Sequence, residues 1–553
     1  MEKQMVGDSM KILGLGGSGH SFSACLVEDG KVITAVEEER LNRIKYSLFP
    51  PDVSHMKLAR NKAANYCLKN SGYTMDDIDF IVTQDILDPR YAAKFSGKTT
   101  FLNHHLTHAS SAYFTSPFTD AAILVADGSG SFFGKNNSKY ETVTLYHAKK
   151  THISKLSSQY GTSSSIENFE FHPHNSIGGF YRAVTEGIGF HFLQDGKTMG
   201  LSSYGRNTYT NTFNNFYQFN KEGHFVQSKE DLNKLKNFLK IELANSTSLF
   251  QTKADLAYAV QYHTEKILIK LAQKIYSDTG SSNLCFSGGV ALNSVANSKL
   301  LKETPFKNIY VFPASLDSGC AIGSALYMHY SILGNEWEPL KTPFVPFLGK
   351  EYTNNEILKS LNSFSSLIDY KYSNDICNFT SSKLNEGCII GWFQGKSEIG
   401  PRALGNRSIL ADPRYMSNRH KLNIHIKKRE LFRPFAPAVL SEYQNQYFED
   451  TSVNSYYMLN VFPVKKDQTK KIPAVLHCDG TARLQTVTKF FNPKFYRLLR
   501  SFYEKTQTPI LLNTSFNKSG QPIVETPKDA IKSFLEFKLD YLIIDNFIIN
   551  RKE

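Results

Sequence analysis

The sequence predicts an α/β protein of two domains, and three observations carry that reading. At 553 residues the chain exceeds what one hydrophobic core supports, so two or more domains are expected. Apolar, β-type runs end repeatedly in glycine or acidic loops that lead into helical segments, first in NLCFSGGVALNSVANSKLL and again in NIYVFPASLDSGCAIGSALYMHYSIL. That recurrence of strand, loop and helix is the mark of an α/β scaffold with ligands at its strand ends. After about Gly334 the texture changes to NEWEPLKTPFVPFLGKEYTNNEI, rich in proline and aromatics and low in periodicity, which reads as a connector. The expected domains are therefore 1–340 and 341–553.

Within the first domain, ILGL, SACLV and VITAV are three short apolar runs, the last two separated by Glu28-Asp29-Gly30. They predict a β-meander with an Asp-Gly hairpin turn. Gly14, Gly16 and Gly19 formally match GxGxxG, but a dinucleotide loop needs a helix directly after the glycines. A strand pair follows here, so the Rossmann reading fails. A glycine-rich turn between hairpin strands fits better with the phosphate loops of the class that includes actin, sugar kinases and heat-shock ATPases. AAILVADGSGSFF predicts a further strand running into an Asp-Gly turn. In the second domain GCIIGWFQG, PAVL, TPILLN and YLIID predict strands. The sequence shows no internal repeat and no low-complexity segment.

Composition narrows the class. Hydrophobic residues are 41% and charged residues 21%, as in a soluble globular enzyme. No apolar run approaches the ~18–20 residues needed to span a bilayer. The start, MEKQMVGDSMKILGLG, lacks the basic and apolar regions of a signal peptide. Cys25, Cys67, Cys285, Cys320, Cys377, Cys388 and Cys478 are scattered without a CxxC pair, which argues against zinc ribbons and disulfide frameworks and suits a reducing cytoplasm. The net charge of +13 reflects dispersed lysines, so neither nucleic acid nor membrane is an expected partner.

The sharpest local constellation is NHHLTHASSAYF. His104 and His108, four apart, share one helical face, a spacing suited to two ligands of one metal. Taken alone, HxxxH reads more simply as two partly buried helix histidines. Asp127, closing the strand AAILVAD, and Asp317, in the glycine-flanked loop SLDSG, shift the balance toward a metal. Such an N/O set suits iron(II), manganese or zinc. His20 follows the turn GGSGH, where an imidazole could act as general base or satisfy a turn carbonyl. Lys45, in RLNRIKYSLFP, passes locally as a surface lysine. KSEIGPRALGNRSILADPR and KKRELFRPFAPAVL concentrate Arg402, Arg407, Lys427, Arg429 and Arg433 among glycines and prolines. Arginine forks and a lysine point charge suit a compact polyanion such as a nucleoside triphosphate or carbamoyl phosphate; structural salt bridges are the plainer alternative. Arg483, and Asn513, Ser515 and Asn517 in LLNTSFNKSG, add donors at strand ends.

Together, GHSFSACLVEDG, EEERLNRIKYSLFP, HHLTHASSAYF, DGKTMGLSSYG, FSGGVALN, SLDSGCAIGSALY, EIGPRALGNRSILADPR, FRPFAPAV, DGTARLQTV and NTSFN resemble the O-carbamoyltransferase family of nodulation-factor, aminoglycoside, cephem and ansamycin biosynthesis. The resemblance covers nearly the whole length. It implies an N-terminal actin-like (ASKHA) duplicated α/β domain and a C-terminal YrdC-like α/β domain. It implies that carbamoyl phosphate and ATP, with Mg2+, give carbamoyl adenylate, and that the carbamoyl group then passes to a hydroxyl of a natural product or sugar. By the same resemblance His104, His108, Asp127 and Asp317 hold Fe(II) or another divalent metal, and His20 and Lys45 serve transfer. Ser287, Gly288, Gly289 and Asn293 bind nucleotide, and Arg402, Lys427, Arg433, Arg483 and Ser515 bind carbamoyl phosphate. The register between Lys427 and Lys428 stays open.

Three rivals are weaker. A transfer-RNA modifier using threonylcarbamoyl adenylate would not need the fused GPRALGNRS domain. A hydrogenase-maturation carbamoyltransferase should carry CxxC pairs. A nucleotide-gated scaffold of the actin class leaves the two-His, two-Asp set unexplained. Acceptor contacts are expected between Lys135 and Ser176 and from Thr208 to Leu249, and a homodimer is compatible with the sequence.

Overall fold

The computed structural model describes residues 9–48, 58–95, 97–134, 138–162, 173–451 and 453–552. They form two compact units interleaved along the chain. The first comprises Met1–Phe169, Ile275–Ala291 and Pro305–Gly349, and the second Glu170–Lys274, Leu292–Thr304 and Lys350–Glu553.

The first unit is built on two sheets of the same plan. The predicted meander is present: Lys11–Gly16 pairs antiparallel with Ser23–Glu28, which pairs antiparallel with Lys31–Glu37. Asp29 and Gly30 turn the hairpin with φ of 46° and 75°, as an Asp-Gly turn with two left-handed residues requires. Phe80–Gln84 and Thr99–Leu102 extend this sheet in parallel. In the second sheet Asp120–Ala126, Lys139–Lys149 and His152–Thr162 run antiparallel, and Asn283–Ser287 and Asn308–Val311 add in parallel. The central strand AAILVA is wholly buried, which explains its unbroken apolar run.

Two helices, His104–Phe114 and Cys320–Tyr327, pack closely in this unit. The second is CAIGSALY, small and apolar on every side and almost entirely buried, as a central helix must be. A Cβ on Gly14 would meet the Ala321 carbonyl oxygen at 2.0 Å, and one on Gly323 would meet the Thr107 oxygen at 1.9 Å. These glycines permit backbone-to-backbone approach. The GxGxxG glycine Gly14 thus serves packing of a helix from far along the chain.

The second unit contains an eight-stranded mixed sheet. Its order is 368–372, 547–551, 541–544, 390–393, 407–411, 510–515, 436–440 and 485–487. All four sequence-predicted strands belong to it; the PAVL at 437–440 lies on the strand Ala436–Leu440, whereas the PAVL beginning at Pro473 forms a 3-10 turn. Helices Ile376–Asn385 and Pro493–Thr506 bury Ile376, Leu384, Leu498 and Phe502 with Trp392, and Asn354–Asn362 and Pro527–Phe537 contribute Ile357, Leu361 and Phe534 to a separate core.

The same unit holds residues 249–274 of the long helix Leu249–Thr279. Its His263 is fully buried, with Nδ1 2.8 Å from the Tyr217 hydroxyl and Nε2 2.7 Å from the Thr210 carbonyl oxygen. The carbonyl requires Nε2–H, so Nδ1 accepts from Tyr217 and the ring is neutral. Burial pushes its pKa from 6.5 down to about 4. A depressed histidine contributes stability that is complete above the unfolded pKa and is lost as pH falls toward the folded one. We therefore expect stability of this helical region to fall by roughly 3 kcal/mol between pH 6.5 and about 4. Hydrogen exchange over Leu249–Thr279 as a function of pH checks this, and His263→Gln is expected to flatten the slope.

Among the described residues no helix is long and apolar enough to cross a membrane.

Candidate functional site

The first unit gathers one polar cluster from four places. Asn103 caps the helix His104–Phe114, its side chain accepting from the Leu106 amide. Ser131 Oγ accepts from the His104 amide at 2.8 Å and donates to Asp85 at 2.7 Å, while Asn103 Nδ2 donates to Glu141 at 2.7 Å. This network fixes the helix start, and the four-residue spacing then stacks the His104 and His108 rings edge-on at 4.6 Å. Asp127 directly follows the strand Asp120–Ala126, and Asp317 opens the turn Asp317–Gly319 ahead of the helix Cys320–Tyr327.

His104 Nε2 lies 3.1 Å from Asp127 Oδ2 and 3.9 Å from Asp317 Oδ1; His108 Nε2 lies 3.7 and 3.8 Å from the same two oxygens. One donor atom from each of the four residues falls within 4.8 Å of the others. His108 Nε2 is buried and has no hydrogen-bond partner among the described residues. A buried ring nitrogen without an acceptor, beside two carboxylates just beyond hydrogen-bonding reach, is the arrangement a cation completes. The residues present fit a divalent metal. Burial works against the Asp127 carboxylate, but the hydrogen bond from His104 and the nearby His108 ring outweigh it and hold its pKa well below the ordinary range. Asp317 is likewise drawn down to about 2, against burial, by the nearby His108 and His20 rings. Burial disfavours the His104 imidazolium, yet the Cys320 sulfur and the Asp127 hydrogen bond bring its pKa up to about 10. Without a cation the cluster therefore carries protons that a metal would displace.

His20 stands at the rim, 18% exposed, with Nδ1 3.0 Å from Ser21 Oγ and 3.9 Å from Asp317 Oδ2. Ser18 donates to the same Asp317 oxygen. Lys45 is held by Glu39 at 2.7 Å; burial lowers its pKa, but Glu39 more than offsets this and keeps the ammonium form. Ser287 is buried behind His108, with Oγ 3.3 Å from Nδ1. Gly288 takes φ of 93°, and the Gly289 amide donates to Asp127 Oδ1 at 3.1 Å. The FSGG turn thus braces two of the four donors. Asn293, in the second unit, exchanges hydrogen bonds with Gln261 at 2.9 and 3.1 Å and caps the helix Ser294–Glu303.

The second unit gathers cations. Lys427 is almost wholly buried and donates to the Ser515 carbonyl, to the Asn517 carbonyl at 2.7 Å and to Asn517 Oδ1 at 3.1 Å, with Ser515 Oγ at 3.4 Å. Lys428, by contrast, is exposed. Burial, then the charges of Arg429 and Arg433, push the Lys427 pKa well down. Burial and the charges of Arg402, Arg429 and Arg433 act the same way on Arg483, whose Nε is buried without a hydrogen-bond partner among the described residues. Glu398 shapes the loop bearing Arg402: its Oε1 accepts from the amides of Leu404 at 2.6 Å and of Asn406 and Arg407 at 3.3 Å. Arg407 itself lies 3.5 Å over the Phe393 ring and donates to the Gln394, Gly395 and Asn406 carbonyls, so it is scaffold rather than anion donor.

Sequence reasoning passed over Ser18, Glu398 and Cys320. A glutamate inside an arginine-rich motif and a cysteine three residues after Asp317 were the available signals. Of the two stretches expected to contact an acceptor, 135–137 and 163–172 lie outside the described residues. The rest of the first is mainly the hairpin 139–162, and the second contains the helix Lys229–Ala244.

Two family models match the chain in order: "Carbamoyltransferase N-terminus" over residues 86–326 and "Carbamoyltransferase C-terminus" over residues 381–551. The nodulation protein NolNO of Sinorhizobium fredii is 33% identical, covering 96% of this chain and 79% of its own. An uncharacterized protein of Synechocystis, sll1178, is 33% identical over 97% of this chain and 96% of its own. The 3'-hydroxymethylcephem-O-carbamoyltransferase of Streptomyces clavuligerus is 32% identical over 45% of each chain. Both family models and a near full-length relative agree with the order of motifs, and the chain belongs to the carbamoyltransferase family.

Proposed function

We propose that this transferase is an ATP-dependent O-carbamoyltransferase that activates and transfers the carbamoyl group at separate sites. The observation that carries the reading is the coexistence of a two-His, two-Asp cluster with a crowd of cations around Arg483 and Lys427. The first suits transfer to a hydroxyl, the second a phosphorylated donor. We read 1–340 as the actin-like transfer domain, supported by the repeated sheet plan carried by 11–162 and 283–311, and 341–553 as the YrdC-like activation domain, supported by the GPRALGNRS and NTSFN motifs. This boundary differs from the compact units, in which Glu170–Lys274 and Leu292–Thr304 group with Lys350–Glu553.

In the activation step water cleaves carbamoyl phosphate to carbamate and phosphate. A carbamate oxygen then attacks the α-phosphorus of ATP, pyrophosphate leaves, and carbamoyl adenylate remains. Arg402, Lys427, Arg433, Arg483 and Ser515 hold the phosphate groups in this reading, with Lys427 as a point charge and the arginines as forks. In the transfer step the acceptor hydroxyl attacks the carbamoyl carbon, His20 takes its proton, and AMP leaves. Lys45, kept cationic by Glu39, supplies fixed positive charge, and Gly288 is a nucleotide contact in this reading, while the Gly289 amide is engaged by Asp127. Asn293 is carried as a nucleotide contact on the resemblance alone. His104, His108, Asp127 and Asp317 would hold a divalent cation such as iron(II), which would supply Lewis-acid polarisation worth several kcal/mol.

The test is mass spectrometry across a panel of hydroxylated metabolites with ATP, Mg2+ and isotopically labelled carbamoyl phosphate. The expected result is one labelled carbamoyl group per product, with AMP and pyrophosphate formed in step. Label appearing on transfer RNA instead, or ADP in place of AMP and pyrophosphate, would overturn the proposal.

A further inference from the structure

Two donor groupings overlap at the histidine pair: His104 and His108 fall together with Asp127 and Asp317, and also with Cys320. The ring edges separate them. Both Nε2 atoms face the carboxylates. On the opposite edges, the Cys320 sulfur lies 4.0 Å from His104 Nδ1, and Ser287 Oγ lies 3.3 Å from His108 Nδ1. The two nitrogens of an imidazole point away from each other, so a cation on Nε2 cannot share the side of the ring that the sulfur occupies.

We propose that Cys320, together with Ser287, is the outer support of the metal cluster: each accepts an Nδ1–H hydrogen bond and fixes the tautomer that presents an Nε2 lone pair. Cys320 is then a positioning residue and not a ligand. This rests on the metal reading above and deepens it.

The backbone is built to put that sulfur there. Cys320 is fully buried at the head of its helix, and the turn Asp317–Gly319 runs directly into it, so a ligand and an outer support share one rigid corner. Three glycines close the packing around it. A Cβ on Gly16 would meet the Ala321 amide nitrogen at 2.7 Å, and those on Gly14 and Gly323 would clash with backbone oxygens. Ser23 Oγ donates to the Ser318 carbonyl at 2.7 Å and ties the corner to the meander. A ligating histidine generally donates its other N–H to a carboxylate, carbonyl or water, and loss of such a partner weakens metal binding. Sulfur fills that place here, in a corner too tight for a larger acceptor.

Cobalt(II) titration of the full chain, read by absorbance, tests the assignment. Cys320→Ala is expected to bind cobalt about 10–100-fold more weakly than wild type, with Cys320→Ser recovering part of the loss and Ser287→Ala showing a loss of its own. The wild-type cobalt spectrum is expected to lack the intense sulfur-to-cobalt charge-transfer band of a thiolate ligand. That band in wild type, abolished in Cys320→Ala, would make the cysteine a ligand and overturn the proposal. Unchanged affinity in a folded Cys320→Ala would overturn it too. If that variant does not fold, the wild-type spectrum and the affinity of the near-isosteric Cys320→Ser decide the matter. Failure of wild type to bind cobalt, or binding indifferent to Asp317→Asn, sinks the metal reading itself; normal wild-type binding with an indifferent Cys320→Ala sinks only the present inference.

Discussion

Arg483→Ala is expected to lower carbamoyl-phosphate-dependent pyrophosphate release by about 10³–10⁵-fold, the range seen when an arginine that stabilises transferring phosphoryl charge is removed. The argument is electrostatic. Arg483 feels Arg402, Arg429 and Arg433, and burial and those like charges push its pKa down. Like charges crowded at low dielectric repel strongly, so the cluster is costly until an anion enters. Arg483 Nε, buried without a partner among the described residues, adds an unsatisfied donor to that cost. Removing the arginine should therefore leave the thermal stability of the ligand-free protein unchanged or raised, while abolishing the stabilisation that carbamoyl phosphate confers through binding. A merely structural arginine would do the reverse. Lys427→Met is expected to act in the same direction, and because burial and neighbouring cations lower its pKa, an entering anion favours the protonated amine. Affinity for carbamoyl phosphate should then weaken as pH rises, in wild type but not in Lys427→Met. Supplied carbamoyl adenylate should restore product in both variants; no rescue would mean that these residues also serve transfer.

Much of the candidate site was legible because its chemistry is written in residue types at strand and helix ends. Two histidines at helical spacing and aspartates closing AAILVAD and opening SLDSG could be named without coordinates, and the structure places all four donors within 4.8 Å. What pattern reading cannot supply is which neighbour a side chain meets. Arg407 has the same motif context as Arg402 yet lies over Phe393, and Lys427 differs from Lys428 only in burial. Gly14 and Gly16 imitate a nucleotide fingerprint because close approach needs a missing Cβ whatever approaches, and here it is the backbone of Ala321. The repeated sheet plan of the first unit left no internal sequence repeat and was expected only through the family resemblance, since topology constrains the order of apolar runs and not their identity. Cys320 was silent for a related reason: a single cysteine has no partner spacing, and its role depends on a helix contact that only the fold creates.

His20→Asn is expected to reduce carbamoyl transfer by about 10²–10⁴-fold, the usual contribution of a positioned general base, while pyrophosphate release continues. Among the three histidines of the site, His104 and His108 are fully buried, and their Nε2 atoms are turned to Asp127 and Asp317. His20 is 18% exposed and approaches the same Asp317 at 3.9 Å, so an incoming hydroxyl can reach its ring at the edge of the cluster. Ser18, donating to Asp317, and Ser21, 3.0 Å from His20 Nδ1, hold the turn that aims it. Asparagine keeps a hydrogen-bonding group of similar reach but cannot take a proton, so substrate affinity should change little and the loss should fall on kcat. Metal content should stay at the wild-type level, because His20 is outside the four-donor set. Carbamoyl adenylate should then accumulate, detectable by mass spectrometry in single-turnover reactions. If pyrophosphate release collapses along with transfer, the two chemistries are not divided as proposed; if transfer survives, the base lies elsewhere and the metal-side aspartates become the next groups to change.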